Sequence, residues 1–282
     1  MYNLLKKLFP ICRSITGNGV RETFDILKQE CPALKTYEVP SGTKVFDWTV
    51  PKEWNIKDAW IKNSKGEKII DFKENNLHVI GYSTPVHKKV SLSELLEVVY
   101  TLPEMPDAIP YITSYYKERY GFCMTENQKQ SLKEDEYEIF IDSELKNGSL
   151  TYGEIIIPGK TKKEILLSTY VCHPSLANDN LSGVVVTTEL AKWLMSKKNK
   201  YTYRIVYVPE TIGSITYLSK NFKTMKKNVV AGYTITCVGD NLTYSYLESR
   251  QANTLADKAA VYVLKDYAPD YIYYSYLDRG SD

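Results

Sequence analysis

The stretch Glu164-Ile-Leu-Leu-Ser-Thr-Tyr-Val-Cys-His173-Pro-Ser-Leu-Ala-Asn-Asp179-Asn-Leu-Ser-Gly183 decides the fold. Its first seven residues form a short apolar run of the kind that makes a buried strand. Turn-forming residues follow, and Ser182-Gly183 open a segment, 183–195, with helical character. The same rhythm repeats downstream: a strand over 203–208, a helix over 213–221, a strand over 228–238, a helix over 254–264 and a strand over 271–276. Strands alternating with helices of about ten residues imply an α/β unit around a largely parallel, buried sheet.

Upstream, residues 2–9 and 20–30 have helical spacing, separated by a Ser-Ile-Thr-Gly-Asn-Gly turn. From 35 to 90 the texture changes to short runs (43–50, 59–62, 68–72) broken by Pro, Gly, Asn and Ser, which read as strands. Ser91-Leu-Ser-Glu94 is a capping box that starts a helix over 92–102, and Thr125-Glu-Asn-Gln128 is a second one. Pro103, Pro106 and Pro110 hold the chain between them extended. Residues 138–143 and 150–158 are expected to pair across a Lys-Asn-Gly turn at 146–148. The expected organisation is an α/β domain made of 1–45 and 138–282, interrupted by a β-rich insertion at 46–137.

Of the 282 residues, 43% are hydrophobic and 25% charged, which excludes bulk disorder. Lys plus Arg (36) nearly balances Asp plus Glu (34), so charge offers no case for a nucleic-acid or anionic-membrane partner. The 24 tyrosines against 7 phenylalanines match the bias of an AT-rich genome. No run approaches the ~18 apolar residues of a membrane helix, and Lys6 and Lys7 interrupt any signal-peptide pattern. Cys12, Cys31, Cys123, Cys172 and Cys237 are odd in number, widely spaced and without a CxxC pair. They argue against a disulfide framework or a cysteine zinc cluster and for a reduced, cytoplasmic protein.

Ligands in open α/β sheets bind beyond the carboxyl ends of the strands. Three strand ends carry polar residues there: His173 with Asp179, Glu210, and Asp240. Imidazole with carboxylates suits zinc, or else manganese or cobalt, and a carboxylate beside the ion can pass a proton from water to a leaving amine. There is no HExxH, GxSxG, P-loop or GxGxxG motif. Of the other candidates, His78 and His87 read as structural, and Lys197–Lys200 as a solvated loop. Tyr111, Tyr115, Tyr116, Tyr120 and Phe122 read either as the wall of a substrate pocket or as packing of the insertion, with packing favoured.

Ala177-Asn-Asp179-Asn-Leu-Ser-Gly183, shortly after His173, resembles the Ala-x-Asp-Asn-x-Ser-Gly signature of co-catalytic zinc aminopeptidases, the clan that includes glutaminyl cyclases. The whole chain is similar to a narrower group, the aminopeptidase-like proteins of bacterial surface-polysaccharide gene clusters. Residues 77–87 and 110–123 resemble that group's inserted domain; 172–183 and 236–240 resemble its peptidase-like part. The resemblance implies a three-layer zinc-exopeptidase-like domain, with His173 and Asp179 as ligands and Asp179 bridging two ions. It also implies Glu210 as general base, because Glu210-Thr-Ile-Gly213 lines up with Glu-Glu-x-Gly, and Asp240 as a further ligand. The implied activity is hydrolysis of an amide, with one or two zinc ions, on a peptide or aminoacyl small-molecule substrate. The alternative is a non-catalytic binding or regulatory module of the same fold.

Several positions depart from the pattern. Thr211 stands in place of a ligand Glu and Ser175 in place of an Asp. Thr236 can be aligned instead of Asp240 at the ligand-Asp position, and no His follows His173. Gly280-Ser-Asp282 resembles the start of a later family segment, so the chain is expected to stop before the last strand and the last ligand.

Overall fold

In the computed structural model, which describes residues 1–280, the strand Thr202–Val208 alternates sharply. Ile205 and Tyr207 join Leu4, Leu8, Phe24 and Val184 in one apolar cluster. Val206 and Val208 join Leu150, Tyr152, Ile212 and Tyr217 in another. Successive side chains of a strand point to opposite faces, so the sheet is covered on both sides. The helices α1 (Tyr2–Leu8), α2 (Asn18–Glu30) and α3 (Gly183–Met195) lie on one face, and α4 (Ile212–Asn228) on the other.

The principal strands are β1 (Lys35–Pro40), β2 (Glu53–Lys62), β3 (Lys68–Asp71), β4 (Val86–Ser91), β5 (Glu136–Lys146), β6 (Ser149–Ile157), β7 (Glu164–Tyr170), β8 (Thr202–Val208) and β9 (Val229–Thr234). The central sheet has the order β1-β6-β8-β7-β9. It is mixed, which corrects the expectation of a mostly parallel sheet. Strand β7 runs parallel to β8 and β9, whereas β6 runs antiparallel to β8 and β1. The reason is connectivity: helical crossovers α3 and α4 impose parallel neighbours, but β6 enters straight from a tight reversal.

That reversal does not make the expected hairpin. Strand β5 pairs with β2 and β4 in a second, antiparallel sheet of order β3-β2-β5-β4, while β6 joins the central sheet. Glu53 anchors the reversal. A Cβ on Gly148 would lie 2.3 Å from Glu53 Oε2, so only glycine passes there. Ser149 N–H donates to Glu53 Oε2 (2.9 Å), and Arg21 grips both carboxylate oxygens (2.9 and 2.5 Å). The Arg21 hydrogen bonds hold the Glu53 carboxyl down to about 2. The second sheet has its own core of Ala59, Ile61, Val90, Phe122, Ile139 and Ile141. It spans residues 53–146, so its longest strand runs past the boundary expected at 137.

Both capping boxes form, at Ser91/Glu94 and Thr125/Gln128. The first helix nevertheless ends at Leu96 rather than 102, because Phe122 N–H and Met124 N–H bond the carbonyls of Val98 and Tyr100 and draw that segment extended. The strand expected at 271–276 is Ile272–Tyr274, paired in parallel with Ser245–Leu247 outside the central sheet.

Helix α3 begins at a point of close approach. A Cβ on Gly183 would stand 2.3 Å from the Ile235 carbonyl oxygen and 2.8 Å from Thr169 Oγ1. Gly183→Ala is therefore expected to destabilise the fold by about 1–3 kcal/mol, the usual cost of overpacking, read as a lower urea midpoint with an unchanged slope. An unchanged midpoint would show that α3 can retreat from β9 without loss.

Candidate metal and catalytic site

Two parallel strands aim the site. Beyond β7 the backbone stays in register, with Val171 N–H bonded to the Val208 carbonyl (2.9 Å), and this carries Cys172 and His173 to the rim. Residues Ala177–Ser182 then coil in a wide turn into α3. The Asp179–Asn180 peptide is cis. Ser182 Oγ donates to the Asn178 carbonyl (2.6 Å) and accepts from Val238 N–H (3.0 Å), which ties this loop to the segment after β9. Beyond β8, Glu210 N–H donates to Cys172 Sγ (3.3 Å), and Thr211, in the left-handed region at φ 54°, turns the chain into α4.

His173 is 5% exposed and lies between two carboxylates. Nδ1 is 3.2 Å from Asp179 Oδ1, and Nε2 is 3.2 Å from Glu210 Oε1. Burial pulls the imidazole towards neutrality, but hydrogen bonds with Asp179, Cys172 and Glu210 outweigh it and push its pKa up to about 12. Asp179 balances burial, which opposes its charge, against bonds from His173 and Tyr170, and its carboxyl ends below the usual carboxylate range. The Tyr170 hydroxyl donates to Asp179 Oδ1 and accepts from Thr236 Oγ1 (2.6 Å). Underneath, the buried Arg13 donates from Nε to the His173 carbonyl (3.0 Å) and from Nη1 to the Leu8 carbonyl (2.6 Å).

His173, Asp179 and Glu210 thus come together at one rim. Asp240 is exposed, accepts from Asn178 Nδ2 (3.3 Å) and Leu242 N–H (3.0 Å), and meets the cluster through the Asn178 loop. The hydroxyl of Thr236 joins the cluster directly through Tyr170. With no CxxC partner, Cys172 does not stand out in sequence as a ligand. Among the described residues, however, Cys172, His173 and Glu210 are the group whose donor atoms lie within 4.8 Å of one another. Its adjacency to His173 was the available signal. Tyr170 and Arg13 gave none. Ser281 and Asp282 lie outside the described residues.

The donor types suit a zinc ion, with His173 and Asp179 supplying two of the usual three protein ligands. Ligands about 2.0–2.2 Å from one tetrahedral zinc stand ~3.3–3.6 Å apart, close to the 3.2 Å between His173 Nδ1 and Asp179 Oδ1. Carboxylates on both sides of the His173 ring also make the place favourable to positive charge. Above it lies an aromatic roof. The Tyr111 and Tyr170 rings stand 4.7 and 5.1 Å from the His173 ring, and the Tyr111 and Tyr115 hydroxyls meet at 3.0 Å. Burial pushes both the Tyr111 and Tyr115 phenols well above their ordinary pKa, so they stay neutral donors.

Residues 2–282 match a family described as a domain of unknown function, DUF4910. The chain is 55% identical, over all of its length, to a Clostridium acetobutylicum protein named as a candidate polysaccharide biosynthesis protein with an aminopeptidase-like domain, and covers 64% of that protein. It is similar at TM-score 0.96 and 55% identity to the crystal structure of a candidate peptidase from Clostridium acetobutylicum, covering 100% of this chain and 66% of that one. A zinc aminopeptidase from Bacillus subtilis shares the fold at TM-score 0.66 with 10% identity, over 97% of this chain and 78% of its own. The chain therefore belongs to the DUF4910 family and has the mixed α/β fold of aminopeptidase-like proteins.

Proposed function

We propose that the protein is a metal-dependent amidohydrolase of aminopeptidase type, with one zinc ion held by His173 and Asp179 and with Glu210 as the proton carrier. The observation that carries this reading is the buried His173 poised between Asp179 and Glu210 at the ends of two parallel strands. A second ion would have to draw on Asp240, which stands beyond Asn178, so the reading takes one. A zinc ion in this place supplies Lewis acidity that polarises an amide carbonyl and acidifies water.

The chain's own groups do the rest. Glu210, 8% exposed, takes a proton from the water that adds to the carbonyl carbon and returns it to the amine nitrogen as the C–N bond breaks. Tyr170 holds the Asp179 carboxylate in place, and Arg13 anchors the His173 peptide from below. The rings of Tyr111 and Tyr170 flank His173 and keep water from its faces. The substrate class is a peptide N-terminus or an aminoacyl or acylamino amide, and the name of the Clostridium relative favours a sugar-linked amide. The second sheet and its connections, residues 53–146, form an insertion into the main domain, and they supply Tyr111 to the site. The cytoplasm is the assigned compartment. All five cysteines are free thiols, as a reducing compartment favours. No helix among the described residues is long and apolar enough to cross a membrane.

The test is metal content joined to hydrolysis. Protein equilibrated with zinc and dialysed should retain about one ion per chain by elemental analysis. A panel of aminoacyl amides and N-acylated amino sugars should contain a substrate whose cleavage stops on chelation and returns with zinc. Failure to retain zinc would overturn the reading and favour the non-catalytic binding module.

A further inference from the structure

Residues 110–116 come from the segment beside the second sheet, yet they end against His173. Their backbone is fixed on both sides of Gly81: Gly81 N–H donates to the Ile112 carbonyl (2.8 Å), and Ser114 N–H donates to the Gly81 carbonyl (2.8 Å). Tyr115 packs edge-on to Tyr82 (5.4 Å between rings). Tyr82 is itself pinned, stacked on Trp54 and hydrogen-bonded to Thr16 Oγ1 (2.6 Å). Two phenols are therefore held at fixed positions beside the catalytic rim by a rigid base.

Their hydrogen-bonding capacity is not used up. Tyr111 and Tyr115 carry one hydroxyl proton each, and the 3.0 Å contact between them consumes one of the two. The other proton is left to donate elsewhere. Tyr111 stands 4.7 Å, ring to ring, from His173, and the charge of Glu210 is felt by both phenols. Tyr115 also lines a cleft of about 270 Å³ shared with Pro51, Lys52, Tyr82 and Tyr116.

Building on the amidohydrolase reading, we propose that the Tyr111–Tyr115 hydroxyl pair donates a hydrogen bond to the carbonyl oxygen of the amide as negative charge develops on it. Residues 110–116 are then part of the catalytic site. A neutral donor fixed before the reaction costs no reorganisation when charge appears, and one such donor commonly contributes ~10²–10³-fold to turnover. The pair acts as a unit: one hydroxyl faces the substrate, and the other accepts or donates to orient it.

Phenylalanine keeps the ring and removes only the hydroxyl, which separates this role from packing. The probe is inorganic phosphate, a tetrahedral oxyanion, titrated calorimetrically into zinc-loaded wild type, Tyr111→Phe, Tyr115→Phe and the double variant. Zinc content and thermal midpoint should match wild type. Phosphate affinity should fall ~10–100-fold in the double variant and in at least one single variant, the size of a hydrogen bond to a charged acceptor. Should Tyr111→Phe fail to fold, Tyr115→Phe carries the test, since its partner's contact with His173 is untouched. Zinc retained with phosphate affinity within about twofold of wild type in the double variant would overturn the hydroxyl pair alone. So would zinc-loaded wild type that binds no phosphate. Wild type that retains no zinc overturns the metal reading and this inference with it.

Discussion

Glu210→Gln in the zinc-loaded protein lowers turnover by ~10²–10⁴-fold, the range typical for loss of a general base, and leaves zinc content unchanged. The substitution is nearly isosteric. Gln keeps an oxygen that can face His173 Nε2, and the backbone bond from residue 210 to Cys172 Sγ does not depend on the side chain. What disappears is the ability to accept and return a proton. Because the group is 8% exposed, solvent cannot easily take over that task. Elemental analysis beside a rate measurement separates the outcomes. If zinc is lost along with turnover, Glu210 is a ligand. The compact Cys172–His173–Glu210 group would then be the ion's binding site, and the proton carrier would have to be sought elsewhere on the rim.

The parts of this site legible in sequence are those that depend on strand ends. His173 follows an apolar strand and Glu210 follows the next one. Two parallel neighbours joined by a helix place their carboxyl ends side by side wherever the rest of the chain goes. What depends on the path of a loop was not legible. Tyr170 reads as one more apolar strand residue, and only the wide turn over Ala177–Ser182 brings Asp179 back to its hydroxyl. In sequence the run over 228–238 puts Asp240 at a strand end, but β9 ends at Thr234, and this brings Thr236 against Tyr170 instead. The sheet switch at Gly148 was equally hidden. A Lys-Asn-Gly turn announces a reversal, but the contacts that hold the returning strand away from the one before it come from Glu53 and Arg21, far away in the chain.

Asp179→Ala is expected to abolish zinc retention on dialysis while the protein stays folded. The side chain is half exposed, so its removal opens no core cavity. What it removes is a carboxylate oxygen 3.2 Å from His173 Nδ1, and with it the acceptor of the Tyr170 hydroxyl. Of the groups proposed to hold the ion, only His173 would remain. Catalytic zinc sites ordinarily use three protein ligands, so a site already short of donors has no reserve. The same change bears on stability in a known direction. Asp179 titrates below the usual carboxylate range in the folded protein, so its charge stabilises the fold at neutral pH, and that contribution is lost as pH falls through its folded pKa. In the variant this acid-side loss should be smaller than in wild type, visible as a flatter dependence of the thermal midpoint on pH below the ordinary Asp value of 3.8. Asp240→Ala provides the contrast, because its carboxylate contacts Asn178 and Leu242 on the outside of the loop. Zinc retained in Asp240→Ala but lost in Asp179→Ala assigns the ion to the His173–Asp179 pair. Zinc lost in both adds Asp240 as a third ligand. Zinc retained in Asp179→Ala would sink the assignment, because Cys172 and Glu210 would then be the donors that remain around His173.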